Sequence, residues 1–254
     1  MKKDPTKRFS NRVEMYVKYR PHYPQSVLTC LKEECGLTET AVISDIGSGT
    51  GILTKLFLDN GNRVYGVEPN DDMRNAAESY LADYARFTSI NGRSEATTLP
   101  DNTVDFIVAG QAFHWFQWQE TRQEFDRVLK SSGVVALIWN KRHYGDDTFG
   151  SEYDAMMREF VGEYSQVVHT SRQDRLDLFF NGRYQLRSFH NQQVFDYEGL
   201  RGRLLSSSYA PLPGDPRYET VMVQLRMLFD RYAENGCVTF HYNTRLYYDF
   251  IYSK

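Results

Sequence analysis

Over roughly the first 140 residues, apolar and polar positions switch between two periods. Short apolar runs of β type fall at Ala41–Ile46, Arg63–Glu68, Ala85–Ile90, Val104–Ala109 and Val134–Trp139. Between them apolar residues recur at helical spacing over about Ile52–Asn60, Asp71–Asp83 and Trp118–Lys130. Each interval is long enough for a crossover helix, so the pattern predicts parallel strands with helices on both faces. Gly61-Asn62 and Ser131-Ser132-Gly133 stand where helix ends must cap and turn back into strands. A further helix is expected over about Pro24–Cys35, with proline in its first turn.

Beyond Trp139 the rhythm changes. Gly145–Val168 reads as an amphipathic helix after a polar loop, Tyr184–Tyr197 alternates like an antiparallel strand, Arg217–Glu234 is helical, and Val238–Tyr252 is a long last strand. The expected fold class is α/β: a doubly wound, mostly parallel seven-stranded sheet with an antiparallel edge and a helical cap. No internal repeat or low-complexity linker interrupts it. The chain reads as a single domain over residues 1–254, with a ligand-binding core at 36–140 and cap or lid elements at about 141–182 and 199–236.

The chemistry concentrates where the first strand ends. Asp45 is followed by Gly47, Gly49 and Gly51 in alternation, and then by the apolar Ile52 and Leu53. A strand that breaks into a glycine loop and opens a helix is where α/β sheets hold nucleotide-like ligands. A dinucleotide fingerprint needs a third glycine or alanine, but that slot holds Ile52 counted from Gly47 and Thr54 counted from Gly49. The Gly-Lys-Ser/Thr of a phosphate loop is missing, and Asp45 would repel a pyrophosphate. A ligand with a positive end and no phosphate fits better, and S-adenosylmethionine (SAM) meets that description. Glu68 closes the second strand, where an acid accepts hydrogen bonds from both ribose hydroxyls.

Further on, Glu95-Ala-Thr-Thr-Leu-Pro and Val104-Asp-Phe-Ile-Val-Ala follow the third strand. With the glycine loop and Glu68, these residues resemble a class I SAM-dependent methyltransferase of the small-molecule type, well over Tyr16 to Trp139 and in outline beyond. Tyr16 through Pro24, with Arg20-Pro21-His22-Tyr23-Pro24, resembles the trans-aconitate methyltransferase-like subgroup. The resemblance implies a Rossmann-like methyltransferase fold, with SAM as cofactor and S-adenosylhomocysteine as product. Gly47, Gly49 and Gly51 would admit the methionine end, Glu68 would hold the ribose, and Ser94 and Glu95 would meet the adenine edge. Arg93 stands where many relatives carry Asp, so Glu95 or the backbone would take that contact. Two prolines stiffen the N-terminal segment into a strap over the loop. From it Arg20 would pair with the SAM carboxylate, and Tyr16 or Tyr19 would face the sulfonium through a cation–π contact.

After the fourth strand comes Gln111-Ala-Phe-His114-Trp115, which resembles the Q-A-x-H-W variant of the same subgroup and lacks the amide-binding motif of DNA and protein methyltransferases. Gln111 would offer a backbone carbonyl to the cofactor. His114 is a candidate general base for a hydroxyl or amine, or else a loop-locking element, and Trp115 is a candidate wall for the transfer channel. A carboxylate acceptor needs no base, since in-line positioning and electrostatics suffice. Asn140, Arg142, Arg203 and Tyr209 are candidates on the acceptor side, the arginines suiting an anion. The expected function is methyl transfer from SAM to a small molecule, with a carboxylate or hydroxyl oxygen favoured through the trans-aconitate resemblance. The alternatives are a non-catalytic SAM-binding or regulatory protein, or a methyltransferase acting on tRNA or protein.

Composition narrows the partners. A net charge of −3 argues against a dedicated nucleic-acid binder, which needs a basic face. Three cysteines form no CxxC pair and fit a reducing, cytoplasmic setting. The basic start has no apolar stretch behind it, and no window approaches the roughly 18 apolar residues of a membrane span. His22, His169, His190 and His241 lack metal-ligand spacing, so no metal site is expected. A monomer or homodimer is the expected assembly.

Overall fold

The computed structural model describes residues 13–143, 148–160, 172–207 and 210–251. Seven strands form one sheet: β1 (Val42–Ile46), β2 (Arg63–Val67), β3 (Phe87–Ile90), β4 (Val104–Gly110), β5 (Leu129–Arg142), β6 (Gln185–Phe195) and β7 (Val238–Ile251). Their order is β3-β2-β1-β4-β5-β7-β6. The first five pair in parallel, and β7 runs antiparallel to both of its neighbours. The order reverses between β1 and β4, so the crevice beyond their carboxyl ends is the natural ligand site.

The helices are α1 (Val13–Tyr19), α2 (Ser26–Cys35), α3 (Ile52–Asp59), α4 (Asp71–Tyr80), α5 (Trp118–Val128), α6 (Thr148–Phe160), α7 (Arg172–Phe179), α8 (Tyr197–Leu205) and α9 (Tyr218–Tyr232). Alternation along β5 divides the sheet's two faces. Val134, Ala136 and Ile138 pack with α2 and α3 through Leu28, Leu31 and Phe57. Val135, Leu137 and Trp139 pack with α5 and α7 through Phe125 and Phe179. A third cluster joins α6, α8 and α9 to the start of β7, around Tyr153, Leu204, Leu225 and Phe240.

The antiparallel edge is β6, paired with β7, which lies inside, and two other expectations are corrected. Leu246, Tyr247 and Tyr248 are consecutively buried, as in a strand covered on both faces, whereas β6 alternates exposed and half-buried residues. Ser131–Gly133 is not a helix cap. Helix α5 ends at Val128 and β5 starts at once, with a bulge that moves the register from Val104↔Leu129 to Phe106↔Val134. A Cβ at Gly133 would come within 2.5 Å of the Leu129 side chain, so glycine lets the bulge fold back. Finally, α7 packs on the sheet with α5 rather than in the cap: the Phe179 ring lies 5.0 Å from Phe113 and 5.8 Å from Phe125.

Candidate active site

The glycine loop follows β1 and opens α3. Gly47, Gly49 and Gly51 have φ of 67°, 55° and 84°, the left-handed region that favours glycine. A Cβ at Gly47 would meet Ala112 Cβ at 2.7 Å, and one at Gly51 would meet Leu81 Cδ1 at 2.7 Å. At Gly49 nothing lies within 4 Å. Two of the glycines therefore let the loop pack, and the middle one faces open space.

Glu68 follows β2, with its own amide bonded to Ile90 O at 3.1 Å. Its Oε2 accepts from Gly49 N at 3.0 Å and its Oε1 from Asn70 N at 2.9 Å. Asn70 is in turn the N-cap of α4, accepting from Met73 N. Burial raises the Glu68 pKa, while the Asn70 and Gly49 amides and Arg74 oppose it. Asp45 lies beneath the loop, fully buried. Thr54 Oγ1 donates to its Oδ2 at 2.7 Å, and Oδ1 has no hydrogen-bond partner. Burial, with the Glu68 charge adding, pushes its carboxyl up to about 7.

The strap reaches the same region. Tyr23 lies against Gly110 at the end of β4, and its phenol is raised by burial and by the charges of Tyr16 and Asp45. Tyr16 therefore stands on the Tyr23 side, under the Arg20 guanidinium at 4.7 Å. Tyr19 does not: its ring lies on Gly202 of α8, with Phe195 at 6.4 Å. Arg20 Nη2 donates to Ser206 O at 3.0 Å, tying the strap to the end of α8.

Gln111 holds a positive φ of 58°, its amide bonded to Ile138 O and its side chain to Asn140 O. Residues Phe113–Trp115 form a 3-10 turn anchored by buried Phe113. His114 is half-buried, with its ring 4.7 Å from that of Trp115, which is 42% exposed. Ser94 is buried, accepting from Thr121 Oγ1 at 2.8 Å and donating to Glu95 Oε2 at 2.9 Å.

The acceptor-side candidates separate. Arg142 pairs with Asp154 and lies between the Tyr153 and Phe240 rings, at 4.7 and 4.5 Å, which makes it a link from β5 to α6 rather than a substrate group. The Asn140 amide is occupied by the strap, β6 and β7. Arg203 is 4% exposed, with Nη1 at 3.5 Å from Ser206 Oγ, beside the backbone that holds Arg20. Tyr209 lies outside the described residues, as does His169. Sequence reasoning passed over Tyr23, Thr54, Asn70 and Thr121 as supports. Tyr23 and Asn70 had signals, in the strap motif and in the Glu68-Pro69-Asn70 turn, but Thr54 and Thr121 look like ordinary helix positions.

A seven-stranded sheet with a glycine loop at its switch point and an acid on the neighbouring strand defines the class I SAM-dependent methyltransferase fold. Residues 44–137 match the family described as a methyltransferase domain. An uncharacterized methyltransferase of Schizosaccharomyces pombe is 32% identical over 138 residues, 53% of each chain. One of Mycobacterium bovis is 30% identical over 141 residues, 56% of this chain and 55% of its own. The chain thus spans about half the length of the curated relatives it matches. Among solved structures, the YcgJ protein of Bacillus subtilis superposes with a TM-score of 0.58 at 18% identity, over 91% of this chain and all of its own. Phosphoethanolamine N-methyltransferase 2 of Haemonchus contortus, solved with SAM, gives 0.57 at 15% identity over 99% of this chain and 59% of its own. SAM is the cofactor of this class, and the comparisons do not single out the trans-aconitate-like subgroup.

Proposed function

We propose that this protein transfers a methyl group from SAM to a small-molecule acceptor by one in-line displacement, with a carboxylate or hydroxyl oxygen as the receiving atom. The observation that carries the reading is the Glu68 carboxylate, held by the Gly49 and Asn70 amides beside a glycine loop whose middle member faces open space. Those amides occupy one side of each oxygen and leave acceptor capacity for a ribose diol. Buried Asp45, with one unpartnered oxygen, gives the loop a negative floor that suits a cationic ligand and opposes a phosphate.

When bound, SAM supplies a methyl group already activated on a sulfonium. Glu68 orients the ribose, the Gly47–Gly51 backbone receives the methionine end, and Ser94 with Glu95 borders the adenine. Tyr16 and Arg20 close the site from the strap. Gln111, held at positive φ after β4, would offer its carbonyl to the cofactor. His114 and Trp115 border the acceptor side, where His114 takes a proton if the acceptor is a hydroxyl, while a carboxylate acceptor needs positioning alone. Arg203 favours an anionic acceptor. The test is calorimetric titration with SAM, S-adenosylhomocysteine and NAD, followed by acceptor screening from small carboxylic acids. Micromolar binding of the first two and none of NAD supports the reading, and well-folded protein that binds neither overturns it.

A further inference from the structure

One residue, through its side-chain amide and its backbone carbonyl, stands where the strap, the loop after β4 and the two last strands meet. Asn140 Nδ2 donates to Pro21 O at 3.4 Å and to His22 O at 3.2 Å. Its Oδ1 accepts from Thr244 Oγ1 at 2.6 Å and from Asn191 Nδ2 at 3.2 Å. Its backbone carbonyl accepts from Gln111 Nε2 at 3.2 Å. An asparagine side chain has two donors and two acceptor sites, and all four are used here. The two carbonyls only accept, so they fix which end of the amide faces the strap. Asn191 Nδ2 also reaches His22 O, at 2.7 Å, which closes a triangle around that carbonyl.

The consequence runs in two directions. On one side the strap carries Tyr23 against Gly110 and Arg20 to the end of α8, and its two prolines offer no amide of their own to anchor it. On the other, Gln111 stands at positive φ, and its side chain reaches the same residue. We infer that Asn140 is a positioning residue, coupling the strap over the cofactor loop to the post-β4 loop on the acceptor side so that the two hold their geometry together. This rests on the proposed methyltransferase reading only for the identity of the ligand. The coupling itself belongs to the protein without ligand.

Asn140→Asp keeps the side chain's size but turns a donor into an acceptor facing two carbonyls, so it is the sharpest probe. Hydrogen exchange of the ligand-free protein reads the coupling, and calorimetry with SAM reads its effect. The expected result is that amides of residues 19–24 and 111–116 exchange at least ten-fold faster together while those of β1 and β2 keep their rates, and that SAM binds at least ten-fold more weakly. Thr244→Val and Asn191→Ala each remove one donor to Oδ1 and keep the test alive if the Asp variant does not fold. Each is expected to shift the same two segments in the same direction, by less. Faster exchange confined to one segment, or spread evenly over the sheet, overturns the coupling. Loosened segments with unchanged SAM affinity overturn the positioning role. Absence of SAM binding by the wild type would instead defeat the functional reading, leaving the exchange result to stand on its own.

Discussion

The three loop glycines predict different phenotypes because their missing side chains would meet different things. Gly51→Ala places a methyl 2.7 Å from Leu81 Cδ1 at a φ of 84°, so folding stability should fall by about 1–3 kcal/mol in denaturant titration. A Cβ at Gly49 meets no atom, so Gly49→Val should lose stability only through its φ of 55° and should lose SAM affinity besides, read by calorimetry. Equal effects of both variants on stability and binding would refute this division. Glu68→Ala removes the charge-assisted acceptor and should weaken SAM by about 1.5–3 kcal/mol. Asp45 adds a pH dependence. Its carboxyl titrates near 7 in the folded protein against about 4 when exposed, so the folded state holds the proton more tightly. Stability from this group therefore falls as pH climbs from about 4 to 7. A cationic ligand favours the ionised form, so SAM affinity should rise between pH 6 and 8, and Asp45→Asn should flatten that rise.

Among the elements, Arg142 shows how far a sequence reading reaches. Its place after β5 pointed to the acceptor, but the pair with Asp154 and the flanking rings make it a joint between β5 and α6. Removing one partner of a largely buried pair costs about 3–5 kcal/mol, so Arg142→Ala should lower stability on that scale. A changed acceptor KM at unchanged stability would restore its role at the substrate. The first five strands and the helices between them were legible because each carries an apolar run or stripe at one period. The strand-to-helix turn after Asp45 was legible because positive φ and close backbone packing demand glycine there. Three things were not. The start of β5 hides behind a bulge that polar Ser131 and Ser132 disguise as a turn. The place of β7 depends on which strands cover it, and no period in its own sequence encodes that. Tyr19 shares its helix with Tyr16, and its place on α8 depends on the space left at Gly202, far along the chain and beyond the reach of any local pattern.

At the scale of the molecule, β7 decides whether cap and core unfold together. Its Phe240 and Tyr242 belong to the cluster of α6, α8 and α9, its Leu246 and Tyr248 to that of α2 and α3, and its Tyr247 and Ile251 to that of α5 and α7. One continuous strand thus contributes side chains to all three clusters, and the ion pair of Arg142 with Asp154 adds a second tie. Opening the cap cluster exposes the first half of β7 and frays its pairing with β5, from Arg142↔Tyr242 inward. The two regions should therefore melt as one cooperative unit, and a ligand bound at the glycine loop should stabilise both. With SAM at a hundred times its Kd the gain is about 2.7 kcal/mol, which for a chain of this size raises Tm by roughly 5–10 °C. Differential scanning calorimetry should show a single transition that moves upward with SAM and stays in place with NAD. Two transitions, of which SAM moves only one, would mean that β7 does not bind the cap to the core and that the cap can open while the cofactor site stays formed.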